Sequence, residues 1–236
     1  MKYPEDFIGK IINGDCLEIM KQMPNKCIDL VLTDPPYGIG ITKKNWQNYK
    51  DPEEYNRRVA EGKKVRGQGL ARPRVYEDTD WDSTIPSKEY FDHIFRISKN
   101  QIIFGGNYFV EYLKNSSCWL VWDKDSEGSN FADCELVYTS FKTAVRKFTF
   151  RWRGMLQEYM GDLKEDRVHP TQKPAELIKE ILLKYSKDTD VILDCFSGSG
   201  STLVAAKQLG RNYIGIEISP RYVEIANQRL RQDVLL

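Results

Sequence analysis

Thr33-Asp34-Pro35-Pro36-Tyr37-Gly38 is the stretch of this 236-residue chain best suited to act on a flat, weakly nucleophilic amine. The lone pair of an exocyclic ring amine is delocalised into the ring. A carboxylate and a backbone carbonyl accepting its two N–H groups would draw that lone pair out of conjugation. Asp34 supplies the first acceptor and the Pro35 carbonyl the second. Tyr37 offers a flat face on which an extruded base can stack. The chemistry that suits this set is methyl transfer to such an amine. Pro35-Pro36 alone would be a rigid turn; an acid, two prolines and an aromatic straight after an apolar run are a rarer combination.

The run before the loop, Cys27-Ile28-Asp29-Leu30-Val31-Leu32, reads as a buried parallel strand, which Pro35 stops because it has no N–H. Asp34 and Tyr37 are therefore expected at the carboxyl end of a strand, where open α/β sheets bind ligands. A second such end is at Asp190 to Leu193. It runs into Asp194-Cys195-Phe196-Ser197-Gly198-Ser199-Gly200-Ser201-Thr202 and then a helix to about Leu209. Glycines there allow a tight bend and close approach of a ligand. The spacing is not Gly-x-Gly-x-x-Gly and lacks a phosphate-binding Lys, so a nucleoside-like ligand suits it better than a dinucleotide or a triphosphate. Glu217 ends the next strand, Asn212 to Glu217, where such acids bind ribose hydroxyls. A helix from Pro220 to Arg231 follows. A third strand, Phe7 to Asn13, delivers Asp15 ahead of a helix from Cys16 to Met23; Asp15 suits a helix N-cap and a ligand contact equally.

Lys plus Arg number 35 and Asp plus Glu 34, so net charge points neither toward nucleic acid nor away from it. Local clusters differ. Between residues 39 and 76 ten basic residues, among them Lys43, Lys44, Arg57 and Arg58, face four acids, with Trp46, Tyr49 and Tyr55 interleaved. A phosphate-tracking lid and a solvated surface loop both fit that composition. Ser87 to Ile97 reads as a helix, Gln101 to Phe104 as a strand and Tyr108 to Lys114 as a short helix. Cys134 to Phe141 and Ala144 to Trp152 read as paired strands, the second carrying Arg146, Lys147 and Arg151, with Arg153 just beyond. Residues 153–168 read as a loop and Ala175 to about Tyr185 as an amphipathic helix. Five cysteines without a Cys-x-x-Cys pair, and only two histidines, speak against zinc and for reduced core thiols in a cytosol. No apolar run reaches membrane-spanning length.

Three stretches together resemble the β class of S-adenosylmethionine-dependent DNA amino-methyltransferases, in which the catalytic motif precedes the cofactor motif. They are Asp-Pro-Pro-Tyr at 34–37, His-Pro-Thr-Gln-Lys-Pro at 169–174 and Phe-x-Gly-x-Gly at 196–200. The resemblance covers residues 8–38 and 90–232. It implies a circularly permuted Rossmann-like α/β fold, with a mostly parallel seven-stranded sheet and helices on both faces. It implies one methyltransferase domain over 1–236, with a basic insert at about 39–80 and a small target-recognition region at about 125–168. Asp34, Pro35, Pro36 and Tyr37 would be catalytic. Asp15, Cys16, Asp34, Asp194, Phe196 to Thr202, Glu217 and Ile218 would bind S-adenosylmethionine, with Thr171, Gln172 and Lys173 at its amino-acid end. Lys43, Lys44, Arg57, Arg58, Arg146, Lys147, Arg151 and Arg153 would meet DNA. Cys195 stands where the family usually has proline and Ser219 where it usually has aspartate; neither removes a side chain that the mechanism needs.

The implied reaction is site-specific methylation of adenine N6 in double-stranded DNA, with cytosine N4 as the alternative. A bacterial or phage-type restriction-modification setting in the cytoplasm and a homodimer are the accompanying expectations. Methyltransferases of RNA or of protein amides usually place the glycine turn first. A non-catalytic binder would have no need to keep Asp34, Tyr37 and Glu217 together.

Overall fold

The computed structural model describes residues 2–40, 57, 61, 80–126, 132–153, 156–161 and 164–232. The chain divides into two compact units, Met1–Pro35 with Pro86–Leu236, and Pro36–Ile85. In chain order the first unit holds β1 (Lys10–Asn13), α1 (Cys16–Gln22), β2 (Ile28–Thr33), α2 (Lys88–Ile97), β3 (Ser98–Phe104) and β4 (Trp119–Asp123). Then come β5 (Cys134–Thr139), β6 (Arg146–Thr149), β7 (Trp152–Arg153), β8 (Leu156–Gln157) and α3 (Ala175–Tyr185). β9 (Val191–Asp194), α4 (Ser201–Gln208), β10 (Asn212–Glu217) and α5 (Pro220–Arg231) complete it.

Eight strands form one sheet in the order β1-β10-β9-β2-β3-β5-β4-β6. The first five run parallel, so their carboxyl ends share one edge. β5 is antiparallel to both β3 and β4, and β6 is parallel to β4. The half that carries the glycine turn, β9-α4-β10, comes late in the chain, yet β10 pairs with β1, Asn13 standing opposite Glu217. The order is that of a circularly permuted open α/β sheet. Its topological switch point lies between β9 and β2, where Leu30 faces Ile192 and Val31 faces Leu193.

Both faces of the centre are covered, which is why Leu30 to Leu32 of β2 and Val191 to Leu193 of β9 are continuous apolar runs rather than alternating ones. Leu30, Leu32, Ile102, Phe104 and Ile192 pack in one cluster with Leu177, Ile178, Ile181 and Leu182 of α3 and Ala205 and Ala206 of α4. The alternate residues Val31, Ile103 and Leu193 point the other way and are also fully buried, along with Met20 of α1 and Phe91 and Ile94 of α2.

Four local expectations need correction. Among the described residues the sheet has eight strands rather than seven, β6 being the added edge strand. β5 and β6 are not partners, because β4 lies between them; a period of two shows which face a residue takes and not which strand it joins. Residues 108–114 form no helix: the turn is a 3-10 turn at Gly106–Tyr108, entered through Gly105 with φ +64°. Part of the expected 153–168 loop, with Trp152, makes the short β7–β8 hairpin.

In the second unit, Tyr37 and Gly38 donate their backbone N–H groups to Asp82 Oδ1 at 2.8 and 3.0 Å. Gly38 has φ +70°, and a Cβ there would lie 3.0 Å from the Ile85 nitrogen, so glycine is required straight after the tyrosine.

Candidate active site

Asp34 leaves the sheet immediately after β2, whose last residue is Thr33. Lys173, the fifth residue of the His-Pro-Thr-Gln-Lys-Pro stretch, donates to Asp34 Oδ2 at 2.6 Å. The same ammonium lies 3.1 Å from Glu135 Oε1, the second residue of β5. Its side chain is 9% exposed, against 21% for Asp34 and 11% for Glu135. Burial works against the charge of Lys173, but Asp34 and Glu135 together outweigh it and raise its pKa. Lys173 is therefore a cation, engaged with the candidate catalytic acid.

Next door, Thr33 donates its hydroxyl to Asp194 Oδ1 at 2.7 Å, across the switch point. The same oxygen accepts the Phe196 N–H at 3.1 Å. Burial pushes the Asp194 carboxyl up to about 6, and the nearby negative charge of Asp34 adds to this, against the hydrogen bonds from Thr33, Thr202 and Phe196.

A recess of about 320 Å³ lies along the same edge, lined by Gly14, Asp15, Cys16, Tyr90, Cys195, Phe196, Glu217 and Ile218. It brings together the ends of β1, β9 and β10, as the parallel topology requires. Asp15 holds the helix-cap role expected of it and also lines the recess. Its Oδ1 caps α1 by accepting the Leu17 N–H at 2.8 Å, and the Tyr90 hydroxyl stands 3.3 Å from each carboxylate oxygen. The Tyr90 ring is 6.0 Å from the Phe196 ring at a tilt of 32°. Burial, with Asp15 beside it, raises the Tyr90 hydroxyl to about 12, so it remains a donor. Glu217 accepts the Gly198 N–H at 2.7 Å on Oε2 and the Ser219 N–H at 2.8 Å on Oε1. Burial raises its pKa. A carboxylate has about four lone-pair sites, so two backbone bonds orient it without exhausting it. An apolar and aromatic recess with two carboxylates suits an adenosine-like ligand.

The glycine turn is held from behind. Gly200 has φ +80°, and a Cβ on it would lie 2.8 Å from the Ala226 Cβ of α5. Arg229 of α5 donates through Nη1 to the Ser199 carbonyl at 2.7 Å and to the Ser199 and Ser201 hydroxyls at 3.1 and 3.3 Å. Through Nη2 it donates to Glu165 Oε1 at 2.7 Å. Glu165 also accepts the Ala175 N–H that opens α3, at 2.9 Å, and the Gln172 amide at 2.8 Å.

Several residues assigned to the cofactor use their side chains on the protein itself. Gln172 also donates to the Asp166 carbonyl, accepts the Val168 N–H and meets the Ser199 hydroxyl, and so works as an internal brace. The Ser197 hydroxyl donates to the Ile216 carbonyl at 2.8 Å. Thr171 Oγ1 lies 3.2 Å from His169 Nδ1. Burial, with Lys173 and Arg167 nearby, lowers His169 to about 3, so this imidazole is neutral. Ile218 is 67% exposed at the rim of the recess.

Of the candidate DNA contacts, Arg146 is exposed, Lys147 pairs with Asp123 at 3.1 Å, and Arg151 pairs with Asp125. Arg57 is exposed in the second unit. Lys43, Lys44 and Arg58 lie outside the described residues, as does the Arg153 side chain. Tyr90, Glu135, Glu165, Arg229 and Asp82 belong to no short motif and escaped the sequence reading. Tyr90 was legible only as one of the apolar residues of α2.

A family model described as DNA methylase, for N6 and N4 methyltransferases, matches residues 121–228. The chain is 30% identical over 270 residues to the Type II methyltransferase M.HinfI of Haemophilus influenzae, spanning 96% of this chain and 69% of that one. The fold is shared with the crystal structure of an M1.HpyAVI–SAM complex, at TM-score 0.55 and 22% identity over 94% of this chain and 99% of the other. It is shared also with PvuII DNA methyltransferase, described as cytosine-N4-specific, at TM-score 0.59 and 15% identity over 97% and 92%. The strand order, the acid after β2, the glycine turn after β9 and the likeness to M.HinfI agree: this chain belongs to the N6/N4 family of DNA methylases.

Proposed function

We propose that the protein methylates the exocyclic N6 of adenine in double-stranded DNA, with S-adenosylmethionine as the methyl donor. The observation that carries this reading is the placement of Asp34 at the end of β2, on the same sheet edge as the recess lined by Asp15, Tyr90, Phe196 and Glu217. When bound, the cofactor supplies an electrophilic methyl group on a sulfonium.

The chain's own groups do the rest. Glu217 accepts the ribose hydroxyls, Asp15 and the Tyr90–Phe196 pair receive the adenine ring, and the glycine turn passes close beneath. Asp34 and the Pro35 carbonyl accept the two N–H groups of the target amine and hold its lone pair out of conjugation. Tyr37 stacks on the extruded base. The amine gives up its surplus proton to solvent after the transfer. Arg146, Lys147 and Arg151 meet phosphates, Lys147 and Arg151 exchanging their present carboxylate partners for them.

A second reading, cytosine N4, is favoured by one observation: a cytosine-N4-specific enzyme shares this fold. Asp34 as the first residue of the catalytic loop favours adenine by the family's habit. Incubating the protein with labelled S-adenosylmethionine and unmodified duplex DNA, RNA or protein tests the class of substrate. Label should enter DNA alone.

A further inference from the structure

Lys173 stands between two carboxylates, 2.6 Å from Asp34 Oδ2 and 3.1 Å from Glu135 Oε1. Phe104 lies under it, the ammonium 5.2 Å from the ring centroid. Glu135 uses its other oxygen, Oε2, on Lys124 at 2.9 Å, and Lys124 in turn lies 4.7 Å over the Trp122 ring. Glu135 sits on β5, two strands away from the loop that carries Asp34, and no motif includes it.

A cation beside Asp34 is a difficulty for the reaction proposed above, on which this inference rests. As the amine nitrogen bonds to the methyl carbon, the carbon–sulfur electron pair leaves with sulfur. The nitrogen becomes cationic until its proton passes to solvent water. A lone ammonium against Asp34 would cancel the carboxylate charge that should stabilise that nitrogen, and it would repel the developing charge. A second carboxylate on the same ammonium divides its field, so that Asp34 is not the sole counter-charge of Lys173, while Lys124 on the other oxygen of Glu135 leaves the four linked groups neutral together. It also gives the Lys173 ammonium a second place to rest when the amine claims Asp34.

We propose that Glu135 is a positioning residue for methyl transfer: by neutralising Lys173 it leaves the Asp34 carboxylate available to the target amine. The direction of the Lys173 pKa agrees: burial works against the charge, and Asp34 and Glu135 together raise the pKa.

The test compares single-turnover methylation of DNA from a methylation-free host, at saturating S-adenosylmethionine, with cofactor affinity by calorimetry. Glu135→Gln should slow the methyl-transfer step about tenfold or more while cofactor affinity stays within about twofold. Glu135→Asp, which keeps the charge, should stay within about threefold of the parent. The double variant Glu135→Gln/Lys173→Met removes the uncompensated cation and should run at least about threefold faster than Glu135→Gln. A purely structural glutamate would show no such rescue. An unchanged rate in Glu135→Gln, or a double variant no faster than the single one, overturns the proposal. If Glu135→Gln loses its melting transition, Glu135→Asp carries the test, and a loss beyond about tenfold with native cofactor affinity overturns it. Failure of the parent protein to label DNA would refute the reaction itself, and the proposal falls with it.

Discussion

The Thr33 hydroxyl and the Asp194 carboxylate meet at 2.7 Å, tying the last residue of β2 to the last residue of β9. The bond joins the strand that delivers the candidate catalytic acid to the strand that opens the glycine turn. It lies at the switch point of the sheet, where the two halves of the site must be held in register.

Asp194 makes this joint pH-sensitive. Its folded-state pKa of about 6 lies above the ordinary 3.8, so the folded protein holds a proton that the unfolded chain releases first. That contribution is fully present below pH 3.8 and is lost as pH rises through 6. Between pH 5 and pH 7 the parent protein should lose about 1 kcal/mol of stability relative to Asp194→Asn. Urea unfolding of both proteins at the two pH values measures it. A constant difference would mean that Asp194 is ionised throughout.

Glu165 and Arg229 form a largely buried pair whose side chains are 22% and 14% exposed. Removing one partner strands the other, so Arg229→Met should cost about 3 kcal/mol and lower the melting temperature by several degrees. Because Arg229 also holds Ser199 and Ser201, the variant should bind S-adenosylmethionine more weakly at temperatures where it remains folded. Native affinity together with the lowered melting point would confine the pair to stability.

Glu217 is expected to carry cofactor affinity. Charge-assisted hydrogen bonds to ribose contribute about 1.5–3 kcal/mol, so Glu217→Ala should weaken binding about tenfold or more. The backbone N–H groups of Gly198 and Ser219 lose their acceptor in this variant, so circular dichroism must accompany the calorimetry. A folded variant with unchanged affinity would remove Glu217 from the cofactor site.

Asp34 should matter for chemistry rather than for cofactor binding. Asp34→Asn keeps the shape and removes the charge. It should lower single-turnover methylation by about a hundredfold or more, with S-adenosylmethionine affinity within about threefold. A retained rate would mean that another group activates the amine.

What the sequence disclosed was local. β2 and β9 were legible because strands covered on both faces are apolar throughout. The loops after them were legible because Pro35 and Gly200 serve backbone geometries that few other residues adopt. The permuted order followed from the position of the glycine turn behind the Asp34 loop. What stayed hidden were single residues that act through long-range partners. Glu135 reaches Lys173 and Glu165 reaches Arg229 only after the sheet has formed. Gln172 lies in a recognisable motif, yet its amide also braces Glu165, Asp166 and Val168, and spacing alone does not reveal that. The pairing of β6 with β4 was hidden for the same reason, since alternation gives a face and not a neighbour.

The site around Asp34 is proposed to methylate adenine N6. Genomic DNA from a methylation-free bacterium expressing this protein, digested to nucleosides and resolved by mass spectrometry, tests it most directly. N6-methyladenine should appear with the parent protein and be absent with Asp34→Asn. N4-methylcytosine as the sole product, or no methylated nucleoside at all, would contradict it.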